Sequence, residues 1–322
     1  MEKIKVAVAG YGGLGKAIVK AVDDHSDIKL VRVFSQQEDL KLASIPVSSV
    51  VQVKEYTGQF DVLLLSYEAG GDSPQALAEY CEHFNLVANA HPQVDLARLL
   101  DLIDGPAQQN DQLALLGVSL RPGLMSLQDI LAGTIIKNGT SHRIHQKAYT
   151  DGLTQTLKQM PGVLDAAVFL EEGDEVQESI DLGQKLSSLP TRQLQKKKIY
   201  LRVVETMDDE EDLDHLTDQV LALPNFLADE TVEIEFVYTE IDLNRVGLAD
   251  RLYRQGEVYE DSYDLRLSVA DENLALAHLM LAGGRAVHRL SQQGHAGATS
   301  LLDFPPYLLA EDDRDKLLNQ LF

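Results

Sequence analysis

The sequence predicts an α/β protein: a Rossmann-type, doubly wound parallel sheet, followed by an α+β second domain with a mainly antiparallel sheet. In the first third of the 322-residue chain, short and almost wholly apolar runs alternate with helical patterns. Such runs are typical of strands buried on both faces of a parallel sheet. A glycine-rich turn follows the first run. Beyond about Pro122 the runs lengthen and alternate in polarity, which is typical of half-exposed antiparallel strands.

The predicted parallel sheet has five strands with helices between them. The strand-like runs are Val6–Ala9, Leu30–Phe34, Val62–Ser66, Leu86–Ala88 and Leu113–Val118. The helical patterns are Lys16–Val22, Ser73–Phe84 and Leu96–Ile103. Ligands of such sheets bind beyond the carboxyl ends of the strands. The loops expected to carry function are therefore Gly10–Gly15, Ser35–Gln37, Ser66–Gly71, Asn89–Gln93 and Ser119–Gly123.

The second domain is predicted from longer strands and from helices that lie between them. The predicted strands are Ser141–Tyr149, Ile199–Glu205, Thr231–Thr239 and Tyr263–Val269, and the helices are Leu153–Gln159 and Glu210–Leu223. The period of two in Val232–Phe236 indicates an antiparallel strand. A long helix is predicted over Glu272–Gln293, in which Gly283 and Gly284 cost up to ~2 kcal/mol relative to alanine. We expect a close packing contact at these two glycines.

The first strand runs into Gly10-Tyr11-Gly12-Gly13-Leu14-Gly15, a G-x-G-x-x-G turn that opens a helix. In this context the motif predicts a dinucleotide site. Gly10 allows a tight turn, Gly12 lets the backbone approach a pyrophosphate, and Gly15 lets the helix pack close to the sheet. The amides at the start of the following helix then face the phosphates, and Gly13 and Leu14 are included among the predicted cofactor contacts. The alternative is a glycine-rich turn without a ligand.

The end of the second strand bears on the choice of cofactor. Ser35, Gln36 and Gln37 stand where NAD enzymes usually carry an acid for the ribose hydroxyls. Because no carboxylate repels a 2′-phosphate there, the sequence favours NADP; because no arginine pairs with one, NAD remains an alternative. Ser66 and Tyr67, which follow the third strand, complete the predicted cofactor contacts.

Composition excludes several classes of partner. The net charge is −23, from 28 basic and 51 acidic residues, which disfavours nucleic acids and anionic membrane surfaces. Cys81 is the sole cysteine, so no intrachain disulfide forms, and we expect it to fill the core. No apolar stretch reaches membrane-spanning length, and the first strand begins too early for a signal peptide. We therefore expect a cytoplasmic protein that acts on a small molecule.

Four residues are candidates for catalysis, each with a plainer alternative. His91, past the fourth strand, could act as a general base or be a surface histidine. Arg121, at the end of a buried strand, either binds a substrate carboxylate or pairs with an internal acid. Lys147 and Tyr149 could form an acid–base pair or belong to a strand surface. No zinc-ligand spacing occurs, so we expect no metal.

These elements resemble meso-diaminopimelate dehydrogenase, an NADP-dependent family, over essentially the whole chain. VAVAGYGGLGKAI and VFSQQ resemble its nucleotide-binding start, and RPGLMS, at Arg121–Ser126, resembles its W-D-P-G-M-F-S turn. MPGV, LPNF and GGRAVHRLSQQGHAGATSLLDFPPYLL resemble its later segments. The resemblance implies a homodimer whose residues 295–322 return to a nucleotide-binding domain of residues 1–121. Residues 122–294 would then form the substrate-binding and dimerisation domain.

The charged positions depart from the family pattern. Paired arginines after the second strand are Gln36 and Gln37 here, and the Asp of W-D-P-G is Arg121. The resemblance places Asn89, Arg121 and Lys197 at substrate-binding positions. It implies reversible oxidative deamination of an amino acid with hydride transfer to NADP. The departures from the family pattern suggest a different, more anionic substrate, or weak activity. The alternative is a paralogue that binds nucleotide but has lost the chemistry.

Overall fold

The chain forms two compact units in a computed structural model, Met1–Gln128 with Asn273–Phe322 and Asp129–Glu272. The structure describes residues 2–37, 39–66, 74–89, 95–149, 152–207, 209–223, 231–239, 248–257 and 261–321. Among the helices in these ranges, none combines the length and the apolar character that crossing a membrane requires.

The described elements comprise strands and helices numbered along the chain. The strands are β1 (Ile4–Ala9), β2 (Ile28–Ser35), β3 (Val47–Ser49), β4 (Val62–Leu65), β5 (Leu86–Asn89), β6 (Leu113–Val118), β7 (Gly139–Tyr149), β8 (Val163–Glu172), β9 (Gln195–Val203), β10 (Val232–Val237), β11 (Leu248–Gly256), β12 (Ser262–Val269) and β13 (Gly297–Thr299). The helices are α1 (Gly13–Ala21), α2 (Pro74–Cys81), α3 (Leu96–Gln109), α4 (Ser126–Ile135), α5 (Gly152–Lys158), α6 (Asp174–Asp181), α7 (Thr191–Leu194), α8 (Glu210–Leu221), α9 (Glu272–Ser291) and α10 (Arg314–Leu321).

The first unit contains a parallel seven-stranded sheet in the order β13-β6-β5-β4-β1-β2-β3. All of its described strand pairs are parallel, as in β1 with β2 and β1 with β4. Consecutive strands therefore run outward from β1 in both directions, and the order reverses between β1 and β4. This is the doubly wound topology that the sequence predicts, and ligands in such sheets bind at the reversal.

Helices cover both faces of this sheet. On one face, Leu14 and Ile18 of α1 and Met280 and Leu281 of α9 pack in a cluster with β-strand side chains. On the other, α2 and α3 contribute a second cluster that includes Cys81. Cys81 is fully buried, and burial raises the pKa of its thiol to about 12, so it fills the core as expected.

The two glycines of α9 meet the sheet closely, as the sequence suggested. A Cβ on Gly283 would lie 2.8 Å from Leu115 Cδ2, and one on Gly284 would lie 3.4 Å from Leu64 Cδ2. However, α9 belongs to the first unit, which resumes at Asn273. The expectation that residues 122–294 form the second domain is therefore wrong for α9, because its apolar face packs on the parallel sheet.

The second unit contains a six-stranded sheet in the order β10-β9-β8-β7-β11-β12. Its described pairs are antiparallel except one: β10 runs parallel to β9, with Ile234 opposite Ile199. The prediction of an antiparallel strand at Val232–Phe236 is therefore wrong, because a period of two reports which face a side chain occupies and not strand direction. The sequence also missed β8, β11 and α6.

Candidate functional site

The glycine turn closes on the end of β4. Gly10 has φ of +98°, a left-handed conformation that favours glycine. The Ser66 hydroxyl lies 2.8 Å from the Gly10 carbonyl oxygen and 3.1 Å from that of Ala9, and donates to them. A Cβ on Gly10 would lie 2.7 Å from the Ser66 carbonyl oxygen, and one on Gly15 would overlap the Gly10 carbonyl. Both glycines are therefore required for chain approach at the reversal point of the sheet.

The start of α1 has the properties of an anion site. Its N-cap residue, Gly12, has no side chain with which to cap the helix, and the first turn contains no acid. Leu14 and Gly15 are buried against the sheet, which fixes the helix axis. Helix amino-terminal amides and the helix dipole favour an anion at this place. The turn therefore fits a dinucleotide, and the residues predicted to hold the diphosphate, Gly10, Gly12, Gly13, Leu14 and Gly15, all lie in this turn and at the start of α1.

The end of β2 offers neutral hydrogen-bonding groups. Ser35 is buried, and its hydroxyl accepts from the Gln37 amide at 3.0 Å. This turn leaves the Gln36 and Gln37 side chains exposed. Arg32, the nearest arginine in sequence, donates to Ser48 Oγ at 2.7 Å and lies 4.3 Å from the centre of the Tyr56 ring. Arg32 therefore interacts with residues at the edge of the sheet and not with the position expected for the ribose.

Two further predicted residues lie at the carboxyl ends of β5 and β6. Asn89 is half-buried and is the last residue of β5, paired in register with Val118. Arg121, also half-buried, lies in a π-helical segment, Leu120–Met125. Ser119 Oγ accepts from the Gly123 amide at 2.9 Å and closes this segment. The sequence analysis placed Ser119 in a loop expected to carry function but did not predict this capping role, although a serine before a glycine-containing turn is a recognisable signal for it.

Some predicted residues lie outside what the structure describes. Tyr67 and His91 are outside the described ranges. For Lys147 and Tyr149 the backbone is described: they pair with Leu170 and Val168 near the end of β7. The roles assigned to these four residues remain predictions.

Lys197 differs from its neighbours on β9. Lys196 and Lys198 lie 3.3 Å from Glu233 carboxylate oxygens, across the parallel pair with β10. Because side chains alternate along a strand, Lys197 projects from the opposite face, which it shares with the buried residues Ile199 and Leu201. A half-buried lysine on an otherwise apolar face is suited to holding an anionic group.

One described group of side chains could bind a metal by geometry: His25, Asp27 and Glu311. Arg285 occupies its centre. The guanidinium donates to both Asp27 carboxylate oxygens, at 2.5 and 2.7 Å, and lies 3.1 Å from His25 Nδ1. The carboxylate is therefore already paired with a buried cation, and we read the group as an ion-pair network.

Comparison with known proteins confirms the resemblance drawn from the sequence. Residues 119–259 match the family model for the diaminopimelic acid dehydrogenase C-terminal domain. The chain is 23% identical to a meso-diaminopimelate D-dehydrogenase of Ureibacillus thermosphaericus, with 100% of both chains covered. It superposes on C. glutamicum DAP dehydrogenase in complex with DAP with a TM-score of 0.76, at 23% identity and full coverage of both chains. For an engineered D-amino acid dehydrogenase bound to NADP+, the TM-score is 0.72 at 23% identity, covering 99% of this chain and 100% of that one.

Proposed function

We propose that this chain, which is similar over its whole length to meso-diaminopimelate D-dehydrogenases, is an NADP-dependent amino-acid dehydrogenase. It catalyses reversible oxidative deamination of a small amino acid. The observation that carries the proposal is the Gly10–Gly15 turn, closed by Ser66 at the reversal point of a parallel sheet. A bound nicotinamide would supply the hydride acceptor, and the chain's own residues bind and orient the reactants.

The substrate is proposed to carry an anionic group near Arg121. A guanidinium binds carboxylates with paired hydrogen bonds and repels an ammonium group. The family resemblance also assigns Asn89 and Lys197, both half-buried, to substrate binding, and both side chains can donate to a carboxylate. These residue types favour a more anionic amino acid than meso-diaminopimelate.

Proton transfer must accompany hydride transfer, because the substrate nitrogen has to lose its ammonium proton before its carbon can release hydride. A base with a pKa near the working pH serves this step best. His91, Lys147 and Tyr149 are the residues proposed for it. Single His91→Asn, Lys147→Met and Tyr149→Phe variants, compared by the pH profiles of kcat/KM, separate them. The base must be deprotonated to act, so its loss is the one that removes the acidic limb, where kcat/KM falls as the pH is lowered.

The activity is tested by absorbance at 340 nm with NADP and a panel of D-amino acids that includes meso-diaminopimelate and D-glutamate. Turnover of a dicarboxylic D-amino acid above that of meso-diaminopimelate supports the proposal. Saturable NADPH binding without turnover supports the alternative, a nucleotide-binding paralogue whose charged site positions have changed. If neither nucleotide binds, both are wrong.

We also propose that the protein acts as a homodimer in the cytoplasm. The family resemblance supports the dimer, and α4 offers an apolar surface: Ile130, Leu131 and Ile135 are 54%, 47% and 73% exposed. Light scattering after gel filtration tests this surface. Ile135→Glu should yield a monomer, while Val51→Glu, at a position 87% exposed on the other unit, should not. An unchanged mass for Ile135→Glu would reject α4 as the interface.

A further inference from the structure

A cavity of about 430 Å³ lies at the amino-terminal edge of the seven-stranded sheet. Its walls include Ile4, which begins β1, and Asp27, which directly precedes β2. The glycine turn lies at the opposite, carboxyl edge of the same strands. The cavity is within the size range of small-molecule sites, and it is separate from the proposed nucleotide site.

The acidic residues that line this cavity are each engaged. Glu2 pairs with Lys5 at 2.8 Å, and Asp27 forms a two-pronged ion pair with Arg285. Asp313 accepts from the amide of Lys316 at 2.8 Å and thereby caps α10. Each of these carboxylates therefore already has a partner, and Asp27 and Asp313 act on the cation of Arg289 only through space.

Among the groups of the wall, the arginine and glutamine side chains keep unused hydrogen-bond donors. Arg289 Nη1 donates to backbone carbonyls, the shortest being Ala310 at 2.8 Å, and Nη2 donates to the Glu311 carbonyl at 3.1 Å. No carboxylate of the described residues lies within ion-pair distance of Arg289. Burial and the neighbouring Arg285 lower the pKa of Arg289, and the more distant carboxylates of Asp27 and Asp313 offset this only in part. An arginine has five N–H donors in a fixed fork, so donors remain on its Nε and Nη2 edge.

Other donors border Arg289. Arg314 is 63% exposed, and its described ion pair, with Asp315, is long at 4.0 Å. Gln292 and Gln293, which directly follow α9, are exposed, and their side-chain amides make no hydrogen bond with any described residue. The protein as a whole has a net charge of −23, so this cluster of hydrogen-bond donors contrasts with the acidic composition of the chain. Ile4, Tyr307 and Leu308 give the cavity an apolar side.

We propose that this cavity binds a small metabolite through an oxyanion, a carboxylate or a phosphoryl group, held by Arg289 and Arg314. The glutamine amides complete the donor set, and the apolar side contacts the ligand's hydrocarbon part. Because the wall joins α9 to the segment Pro306–Leu309 and to α10, an occupied cavity braces the carboxyl-terminal residues against the nucleotide-binding sheet. A ligand bound in this cavity would therefore stabilise the nucleotide-binding unit without touching the cofactor.

Calorimetric titration of the NADPH-saturated protein tests the site, with inorganic phosphate and succinate as probes at constant ionic strength. Saturable binding of at least one probe is expected. A Gln292→Glu, Gln293→Glu double variant should bind that probe about tenfold or more weakly, because two carboxylates then face the anion. Gln109→Glu, at an exposed glutamine that ends α3, is the matched control and should bind as the wild type does.

The outcomes separate the sources of the oxyanion. Phosphate binding alone assigns a phosphoryl ligand, and succinate binding alone assigns a carboxylate. Three results overturn the proposal: no saturable binding of either probe, equal affinity of the double variant and the wild type, or equal weakening by Gln109→Glu. NADPH affinity should be the same in all variants, and a change there would place the probes in the nucleotide site instead.

Discussion

The Ser66 hydroxyl lies 2.8 Å from the carbonyl oxygen of Gly10 and joins the end of β4 to the turn that follows β1. These two strands flank the reversal point of the parallel sheet. The bond holds the glycine turn against its neighbour strand, where Gly10 has φ of +98° and a Cβ on it would lie 2.7 Å from the Ser66 carbonyl oxygen. The shape of the nucleotide cradle is therefore set by a contact between residues 56 positions apart.

Gly15→Ala should abolish NADPH binding and lower the free energy of unfolding by about 1–3 kcal/mol, because the new methyl group overlaps the Gly10 carbonyl. Gly105→Ala is the matched control: it lies within α3, and a Cβ there has no neighbour within 4 Å. That change should raise stability slightly, since alanine favours a helix. Calorimetry and urea unfolding measure both quantities. Normal NADPH affinity in Gly15→Ala would contradict the described turn.

Replacing Gln36 and Gln37 together by arginine should raise the preference for NADPH over NADH by about tenfold or more. Both side chains are exposed at the end of β2, and Arg32 is held by Ser48 and Tyr56. New guanidinium groups there would pair with a 2′-phosphate, which NADH lacks. The ratio of the two dissociation constants is the measurement. Gln109→Arg should leave it unchanged, and an unchanged ratio in the double variant would place the ribose elsewhere.

Arg121→Asp should increase kcat/KM for meso-diaminopimelate by about tenfold or more. It should lower kcat/KM for any anionic substrate. At roughly 4 Å and an effective dielectric of about 20, a charge pair contributes about 4 kcal/mol before screening, so reversal of its sign is a large effect. Arg98→Asp, at an exposed position on α3, makes the same charge change outside the site. Equal responses of the two variants would show a general charge effect rather than a role for Arg121.

Gly283→Ala and Gly284→Ala should differ in stability although the glycines are adjacent. A methyl group on Gly283 would lie 2.8 Å from Leu115 Cδ2 in a filled core, whereas one on Gly284 would make an ordinary contact with Leu64. We expect Gly283→Ala to lose about 1–3 kcal/mol by overpacking and Gly284→Ala to gain up to ~1 kcal/mol of helix propensity. Thermal unfolding measures the difference. If Gly284→Ala proved less stable than Gly283→Ala, α9 would have to be rotated about its axis relative to the described packing.

The free energy of unfolding should decrease as the pH is lowered below about 6.5, the ordinary pKa of histidine, because of His25. An arginine can only donate, so His25 Nδ1, 3.1 Å from Arg285 Nη2, must accept and the ring must be neutral. Burial, then Arg285 and His278, lower the pKa of His25 against the opposing carboxylates of Glu311 and Asp27. As the pH is lowered, His25 is therefore protonated more readily in the unfolded chain than in the folded chain, and acidification favours unfolding.

His25→Gln should flatten this dependence between about pH 7.5 and 5.5, because glutamine does not titrate there. His295→Gln, at an exposed position, serves as the control and should keep the wild-type slope. The free energy of unfolding from urea titrations at several pH values gives both slopes. A steeper slope for His25→Gln than for the wild type would contradict the described network.

Local pattern was enough for the fold class and the nucleotide turn. Buried parallel strands are short and wholly apolar, which makes them recognisable in the sequence. A turn that requires three glycines is likewise recognisable from residue identity, so the strand, turn and helix around Gly10–Gly15 were predicted correctly. The strands β8 and β11 were missed because they do not show the expected pattern. In β11, for example, a buried arginine, Arg251, is satisfied by Asp264 at 2.8 and 2.6 Å and by Glu172 at 2.8 Å.

The sequence by itself determined the type of the elements, the family resemblance and the departures at Gln36, Gln37 and Arg121, because these depend on residue identity and near neighbours. Only the tertiary structure decided that β10 runs parallel to β9, that α9 packs on the nucleotide-binding sheet, and that no carboxylate of the described residues lies within ion-pair distance of Arg289. Strand direction, helix placement and ion pairing depend on residues far apart in sequence, and periodicity carries no information about which distant residues will meet.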